Sequence, residues 1–134
     1  MSAILPLIDS DVLIDMLRKE PLAVSTFQAL LRQGPVMVSV VSRMETIRGC
    51  LNREAQQQAE RLLKRVEVVG LDAQISSRAD QLITQYYLSN NMAVPDALIA
   101  ATASVYELPL LTKNQRDFLY IPGLKLLPYP TAAS

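Results

Sequence analysis

The sequence predicts a single α/β domain: a short, mainly parallel central sheet with helices on both faces. Strand-like and helix-like apolar patterns alternate along the chain, an order that joins parallel strands through helical crossovers. The length of 134 residues suits one domain, which at this size hides roughly two thirds of its unfolded surface, and half the residues are hydrophobic. No internal repeat, low-complexity segment or linker divides residues 1–134, and only the tail 128–134 reads as irregular.

Each element has its own signal. Ile4 to Ile8 is an apolar run ending at Asp9, a first strand. Asp11 to Glu20 reads as a helix with Val12, Ile14, Met16 and Leu17 apolar, and Pro21 starts another that Gly34-Pro35 breaks. Val36 to Val41 is valine-rich and reads as a buried strand, after which Ser42 caps a helix reaching about Cys50. A helix from Arg53 carries Ala55, Ala59, Leu62, Leu63 and Val66 at helical spacing, and Val66 to Val69 is the third strand candidate. Asp72 caps a long helix with a stripe of Ile75, Ala79, Leu82, Ile83, Tyr86 and Tyr87, ended by Ser89-Asn90-Asn91. Asp96 to Glu107 is apolar on nearly all sides, so it belongs between other layers. Pro109 to Leu111 is a short strand, Thr112 to Phe118 a polar turn or short helix, and Leu124 to Leu127 a last strand.

Composition narrows the chemistry. There is no histidine, so neither imidazole acid–base catalysis nor imidazole-bound zinc is available. The single cysteine, Cys50, excludes an internal disulfide and a Cys-cluster zinc site, which fits a reducing cytoplasm. Met1 to Pro6 lack a basic leader, Asp9 and Asp11 interrupt any signal-like core, and no stretch approaches the ~20 apolar residues of a membrane span. A cytoplasmic protein without a membrane partner is expected. Thirteen basic residues balance 13 acidic ones, which argues against strong nonspecific nucleic-acid binding by overall charge. One stretch departs from the balance: Arg43, Arg48, Arg53, Arg61, Lys64 and Arg65 against Glu45, Glu54 and Glu60. It reads either as a solvated helix face or as a phosphate-steering patch.

Acids recur at the ends of apolar runs. Asp9 and Asp11 follow the first strand, Glu45 lies in the helix after the second, Asp96 opens the apolar helix, and Asp117 follows Thr112-Lys113-Asn114. Singly, each has an ordinary structural role: Asp9 or Asp11 as a turn or cap, Glu45 as a partner of Arg43 or Arg48, Asp96 as a cap, Asp117 as a partner of Arg116. Jointly, and without histidine, they point to an acidic divalent-metal site that cuts phosphodiesters. Ligands of parallel sheets bind beyond the carboxyl ends of the strands, the edge on which Asp9 and Thr112 fall. Two carboxylates ~5 Å apart at an effective dielectric of 20 repel by roughly 3 kcal/mol, so a converging set calls for a cation. Mg²⁺ or Mn²⁺ suits it, because these hard ions take oxygen ligands and keep several waters.

The motifs resemble the PIN-domain family, in particular the small toxins of VapC type. The carriers are Leu7-Ile8-Asp9-Ser10-Asp11-Val12-Leu13-Ile14, Glu45, Pro95-Asp96-Ala97-Leu98-Ile99-Ala100-Ala101-Thr102-Ala103, and Thr112-Lys113-Asn114 with Asp117-Phe118. Ile121 to Leu127 fits the family's usual ending, and the likeness covers essentially the whole chain. Asp11 departs from it, standing where the family often has Asn.

The resemblance implies a PIN-like fold and an endoribonuclease that uses water as nucleophile and leaves 5′-phosphate and 3′-hydroxyl ends. Asp9 and Asp96 would be the main metal ligands, Glu45 and Asp117 would complete the catalytic set, and Thr112 and Asn114 would hold Asp9 or ligand waters. It also implies a toxin role, a cognate antitoxin laid across the site, and a homodimer. Arg43 and Arg48 beside Glu45, and Lys113 and Arg116 beside Asp117, are the candidate cations for drawing in RNA.

Other readings stay open at this point. A PIN ribonuclease of RNA processing and a non-catalytic PIN protein binding RNA or a partner share these residues. A phosphoacceptor receiver domain would also have acids after the first strand and Thr112-Lys113 after a later one, but it would need Asp72 as acceptor.

Overall fold

The computed structural model describes residues 5–129. Its sheet has five strands: β1 (Leu7–Ile8), β2 (Met37–Ser39), β3 (Glu67–Val69), β4 (Leu110–Leu111) and β5 (Leu126–Leu127). They lie in the order β3-β2-β1-β4-β5, and every pairing is parallel. Six α-helices cover it: α1 (Ser10–Leu17), α2 (Pro21–Gln33), α3 (Val40–Arg48), α4 (Arg53–Leu63), α5 (Ala73–Asn90) and α6 (Val94–Val105). A 3-10 turn follows at Gln115–Asp117.

The strands are very short, yet their pleat divides the core in two. Leu7 and Leu110 face the cluster built on α5 and α6, with Ile75, Leu82, Ile99 and Phe118. Ile8 and Leu111 face the other cluster, with Val12, Leu13, Phe27, Leu62 and Leu63 from α1, α2 and α4. Successive strand residues point to opposite faces, so each two-residue strand serves both layers.

The chain moves outward from β1 to β2 and β3, then returns to the other side of β1 with β4. This reversal leaves a crevice beyond the carboxyl ends of β1 and β4, the place where such sheets bind ligands. Leu7 pairs with Leu110 and Ile8 with Leu111, and the Asp9 N–H donates to the Leu111 carbonyl at 2.9 Å. Asp9 and Thr112 are thereby neighbours on that edge. The order also differs from the 2-1-3-4-5 order of receiver domains. Asp72 is exposed and caps α5, accepting from the Ile75 N–H at 2.8 Å, so it is no phosphoacceptor in a site.

Several boundaries depart from expectation. The valine-rich segment is strand only to Ser39, because the Ser39 hydroxyl accepts from the Val41 N–H at 3.1 Å and starts α3 at Val40. A capping bond here outweighs the β preference of valine. Ser42, expected as the cap, is buried inside α3. Asp96 is not a cap either: Ala93 holds that position and Pro95 lies in the first turn, which leaves the Asp96 side chain uncommitted to capping. The first helix stops at Leu17 rather than Glu20, where Lys19 turns to φ 61°. Tyr87 falls outside the buried stripe of α5, which ends with Asn91 at φ 53°. The expected start of the first strand at Ile4 and the end of the expected tail, 130–134, lie outside the described residues.

The helix expected to be buried is buried. Ala97, Ile99, Ala100, Ala101, Thr102 and Ala103 are all at most 1 % exposed. Small side chains on this helix let α6 lie close to its neighbours, chiefly α5. Asp96 sits in the first turn of that fixed rod.

Candidate active site

The site begins where β1 becomes α1. Asp9 is the N-cap of α1 and is 6 % exposed. Its Oδ1 accepts the Ser10 N–H at 2.7 Å, and its Oδ2 accepts the Thr112 hydroxyl at 2.9 Å. The capping role and the site role thus use different oxygens of one carboxylate.

Asp11 holds the opposite wall. Its Oδ2 accepts from the Thr112 hydroxyl at 3.2 Å, the Lys113 N–H at 3.0 Å and the Asn114 N–H at 3.2 Å. Its Oδ1 is buried with no hydrogen-bond partner. The Thr112 hydroxyl has one proton for two carboxylates, so it is shared between Asp9 and Asp11. Asn114 reaches this cluster through its backbone N–H. Gln115 fixes the loop from behind, donating to the Thr112 and Leu127 carbonyls at 3.0 and 2.8 Å.

Glu45 joins through a residue that sequence reasoning passed over. The Ser10 hydroxyl donates to Glu45 Oε1 at 3.1 Å, tying α3 to the Asp9 turn. Asp96 and Asp117 meet on another side, lining one cavity of about 260 Å³ with Asn90, Asn91, Met92, Arg116 and Tyr120. Larger hollows lie elsewhere, such as one of about 410 Å³ near Pro109 and Lys125, at the amino ends of β4 and β5, but Glu107 is its one acid. Volume alone would point away from the acids; the chemistry points to them.

Electrostatics show that the acids sense one another. Burial pushes the Asp9 carboxyl up to about 7, the charge of Asp11 adds to this, and the bonds from Thr112 and Ser10 oppose it. Burial raises Asp96 to about 6, followed by the charges of Asp117, Glu45 and Asp11. Asp11 is also raised by burial, against the hydrogen bonds it accepts. Tyr120 is raised by burial and then by Asp96 and Asp117. Carboxyls raised by burial and by one another's charge are a place where a bound cation would stabilise the ionised forms.

The donors suit a hard divalent ion. They are all oxygens, one of them a buried carboxylate oxygen without a partner. Among the described residues no three acids already close around an ion. Mg²⁺ does not require that, since it binds through one or two carboxylates and keeps its waters.

The four candidate cations part ways. Arg116 lies with Asp96 and Asp117 around the 260 Å³ cavity. Lys113 turns to Asp15 instead, at 3.0 Å, the one ion pair among the described residues. Asp15 is 8 % exposed and accepts from Tyr129 as well, at 3.4 Å. On α3, Arg48 is three residues from Glu45 and shares its side of the helix, whereas Arg43, two residues away, does not.

The crevice at the switch point of this parallel sheet brings Asp9, Asp11, Glu45 and Thr112 together, with Asp96 and Asp117 on an adjoining side, as an acidic site. The chain belongs to the PIN domain family, whose model matches residues 7–124. It is similar to Ribonuclease VapC10 of Mycobacterium tuberculosis, 38 % identical over 120 residues that cover 89 % of this chain and 90 % of the relative. Ribonuclease VapC19 of the same organism is 32 % identical over 122 residues, covering 89 % and 96 %. Among solved structures, a toxin–antitoxin complex from Klebsiella pneumoniae contains a chain 30 % identical, with a TM-score of 0.73 and coverage of 89 % and 94 %. The VapBC2 complex of Rickettsia felis, at 20 % identity, TM-score 0.80 and coverage of 92 % and 97 %, shares the fold.

Proposed function

We propose that this protein is a Mg²⁺- or Mn²⁺-dependent endoribonuclease, the toxin of a type II toxin–antitoxin pair acting in the cytoplasm. The observation that carries this is the set of acids around one crevice, with Asp9 pushed to about 7 by burial and then by the charges of Asp11 and Asp96, and Asp96 to about 6 by burial and then by Asp117, Glu45 and Asp11. The ribonuclease relatives and the toxin–antitoxin complex support the substrate and the partner. Exposed apolar side chains, among them Leu51, Leu88 and Leu119, support protein contacts with an antitoxin and a second copy of the chain.

In this reading Asp9 and Asp96 would hold the ion, with Glu45 and Asp117 completing the acidic set. When bound, the ion would supply water activation and offset charge on the phosphate. Thr112 orients Asp9, Ser10 orients Glu45, and Asp11 pins the loop that carries Thr112. Arg116 offsets the acids on the side where RNA enters. The test is cleavage of loop-containing RNA with Mg²⁺ or Mn²⁺ and with EDTA. Metal-dependent cleavage leaving 5′-phosphates is expected; metal-independent cleavage leaving 2′,3′-cyclic phosphate overturns the mechanism. A cognate antitoxin should co-purify and block cleavage.

A further inference from the structure

The cavity beside Asp96 and Asp117 has a composition that phosphate chemistry alone does not call for. It lies where the end of α5, the first turn of α6 and the segment after the 3-10 turn meet, and Asn90, Asn91, Arg116 and Tyr120 line it with the two acids. Its volume of about 260 Å³ falls just below the roughly 300 Å³ at which pockets take a whole drug-sized ligand. That is room for one ring system.

Tyr120 is partly exposed, and the Tyr86 ring braces it with centroids 5.0 Å apart and planes at 60°. An aromatic surface is therefore held in place at the cavity wall. Asn91 sits at φ 53° as the last residue of the α5 cap, so its backbone position is fixed. The Asn90 amide oxygen accepts from the Ser89 hydroxyl at 2.7 Å, which leaves the amide nitrogen for another acceptor. Two carboxylates against one guanidinium make the wall net negative, which disfavours a second phosphate. An uncharged planar ring with polar edges fits it.

We propose that this cavity is a nucleobase subsite, in which Tyr120 stacks on one unpaired base flanking the scissile phosphate while Asn90 and Asn91 read its edge. The proposal rests on the ribonuclease reading and adds what positions its substrate. Single-stranded RNA is recognised in this manner, by stacking on aromatic side chains and hydrogen bonds to base edges. It also adds an uncharged part to the grip on RNA, beside the contact that Arg116 offers at the same cavity.

The experiment has two arms. In the first, metal-free protein in EDTA is titrated with adenosine, guanosine, cytidine and uridine and followed by amide NMR. Saturable shifts at Asn91, Arg116 and Tyr120 are expected for at least one nucleoside, lost in Tyr120→Ala and kept in Tyr120→Phe. In the second, RNA randomised around the cut site is cleaved with Mg²⁺. Tyr120→Ala should raise KM by about tenfold and flatten the preference at one position, with a smaller effect on kcat. Asn91→Gly, which keeps the left-handed backbone, should change the preference without changing thermal stability. Nucleoside binding without any cleavage would uphold the subsite and sink the ribonuclease reading. Cleavage with unchanged KM and base preference in folded Tyr120→Ala overturns the subsite and leaves the ribonuclease standing.

Discussion

The Thr112 hydroxyl and the Asp9 carboxylate meet at 2.9 Å although 103 positions separate them in the chain. The bond lowers the proton affinity of Asp9 against the burial that raises it. Thr112→Val keeps the shape and removes the donor. Asp9 should then hold its proton to higher pH, so the pH–rate profile moves alkaline and cleavage near neutrality falls. Stability should drop by about 1–3 kcal/mol, since Asp9 and Asp11 lose a buried partner. Thr112→Ser should restore both. An unshifted profile in folded Thr112→Val would remove the hydroxyl from any role in tuning Asp9.

Stability should depend on pH in a way set by the raised acids. Asp9 and Asp96 hold protons to about 7 and about 6 when folded, against 3.8 for an ordinary aspartate. Between those limits the folded state binds more protons than the unfolded one, so metal-free stability falls as pH rises through pH 4 to 7 and then levels. Asp9→Asn should therefore be more stable than the parent at pH 8, by on the order of 2–4 kcal/mol at most, and equal to it near pH 4. Melting curves in EDTA across that range decide this. Saturating Mg²⁺ at pH 8 should raise the parent's Tm and do little for the variant.

RNA affinity across a salt series tests the steering cations. Neutralising a phosphate contact should reduce the log–log salt slope by roughly 0.7. Arg116→Gln should show this loss, and Arg43→Gln/Arg48→Gln should owe most of any loss to Arg48. Lys113→Gln should leave the slope close to the parent's, because its ammonium is engaged with Asp15. Parent slopes in every variant would put the RNA path along α4 instead.

The Lys113–Asp15 pair is expected to matter for the fold of the loop. With the lysine side chain 44 % exposed, a double-mutant cycle of Asp15→Asn and Lys113→Met should give a coupling of about 1 kcal/mol or less, weakening in salt. Lys113→Met alone should cost more, because it strands a nearly buried carboxylate with Tyr129 as its remaining contact. A coupling of zero at low salt would make the pair incidental.

Much of this geometry could be read from the chain, for identifiable reasons. Asp9 and Thr112 were legible because apolar runs stop abruptly at both, which marks the carboxyl ends of strands. The buried α6 was legible from its lack of a polar face. Val36 to Val41 misled because β-branched residues look alike in a strand and in the first turn of a helix, and one serine hydroxyl decided between them. Pro95 made Asp96 look like a cap, whereas proline here occupies the first turn itself. Ser10 could not be found, since its partner Glu45 is 35 residues away and on another element. The Tyr86–Tyr120 contact and the Lys113–Asp15 pair are likewise products of packing, with no local sequence signature.

The strand order has a bearing on how the protein is made. β1 is flanked by β2 and by β4, and β4 is not synthesised until Leu110. A nascent chain that has emerged as far as Asn90 can pair β1 with β2 and β2 with β3, but it lacks Asp96, Thr112 and Asp117. Interrupted translation therefore yields a partial sheet with one open edge and half an acid set. A chain cut short before Asp117 therefore never assembles the complete acid set, whatever part of the sheet it has formed.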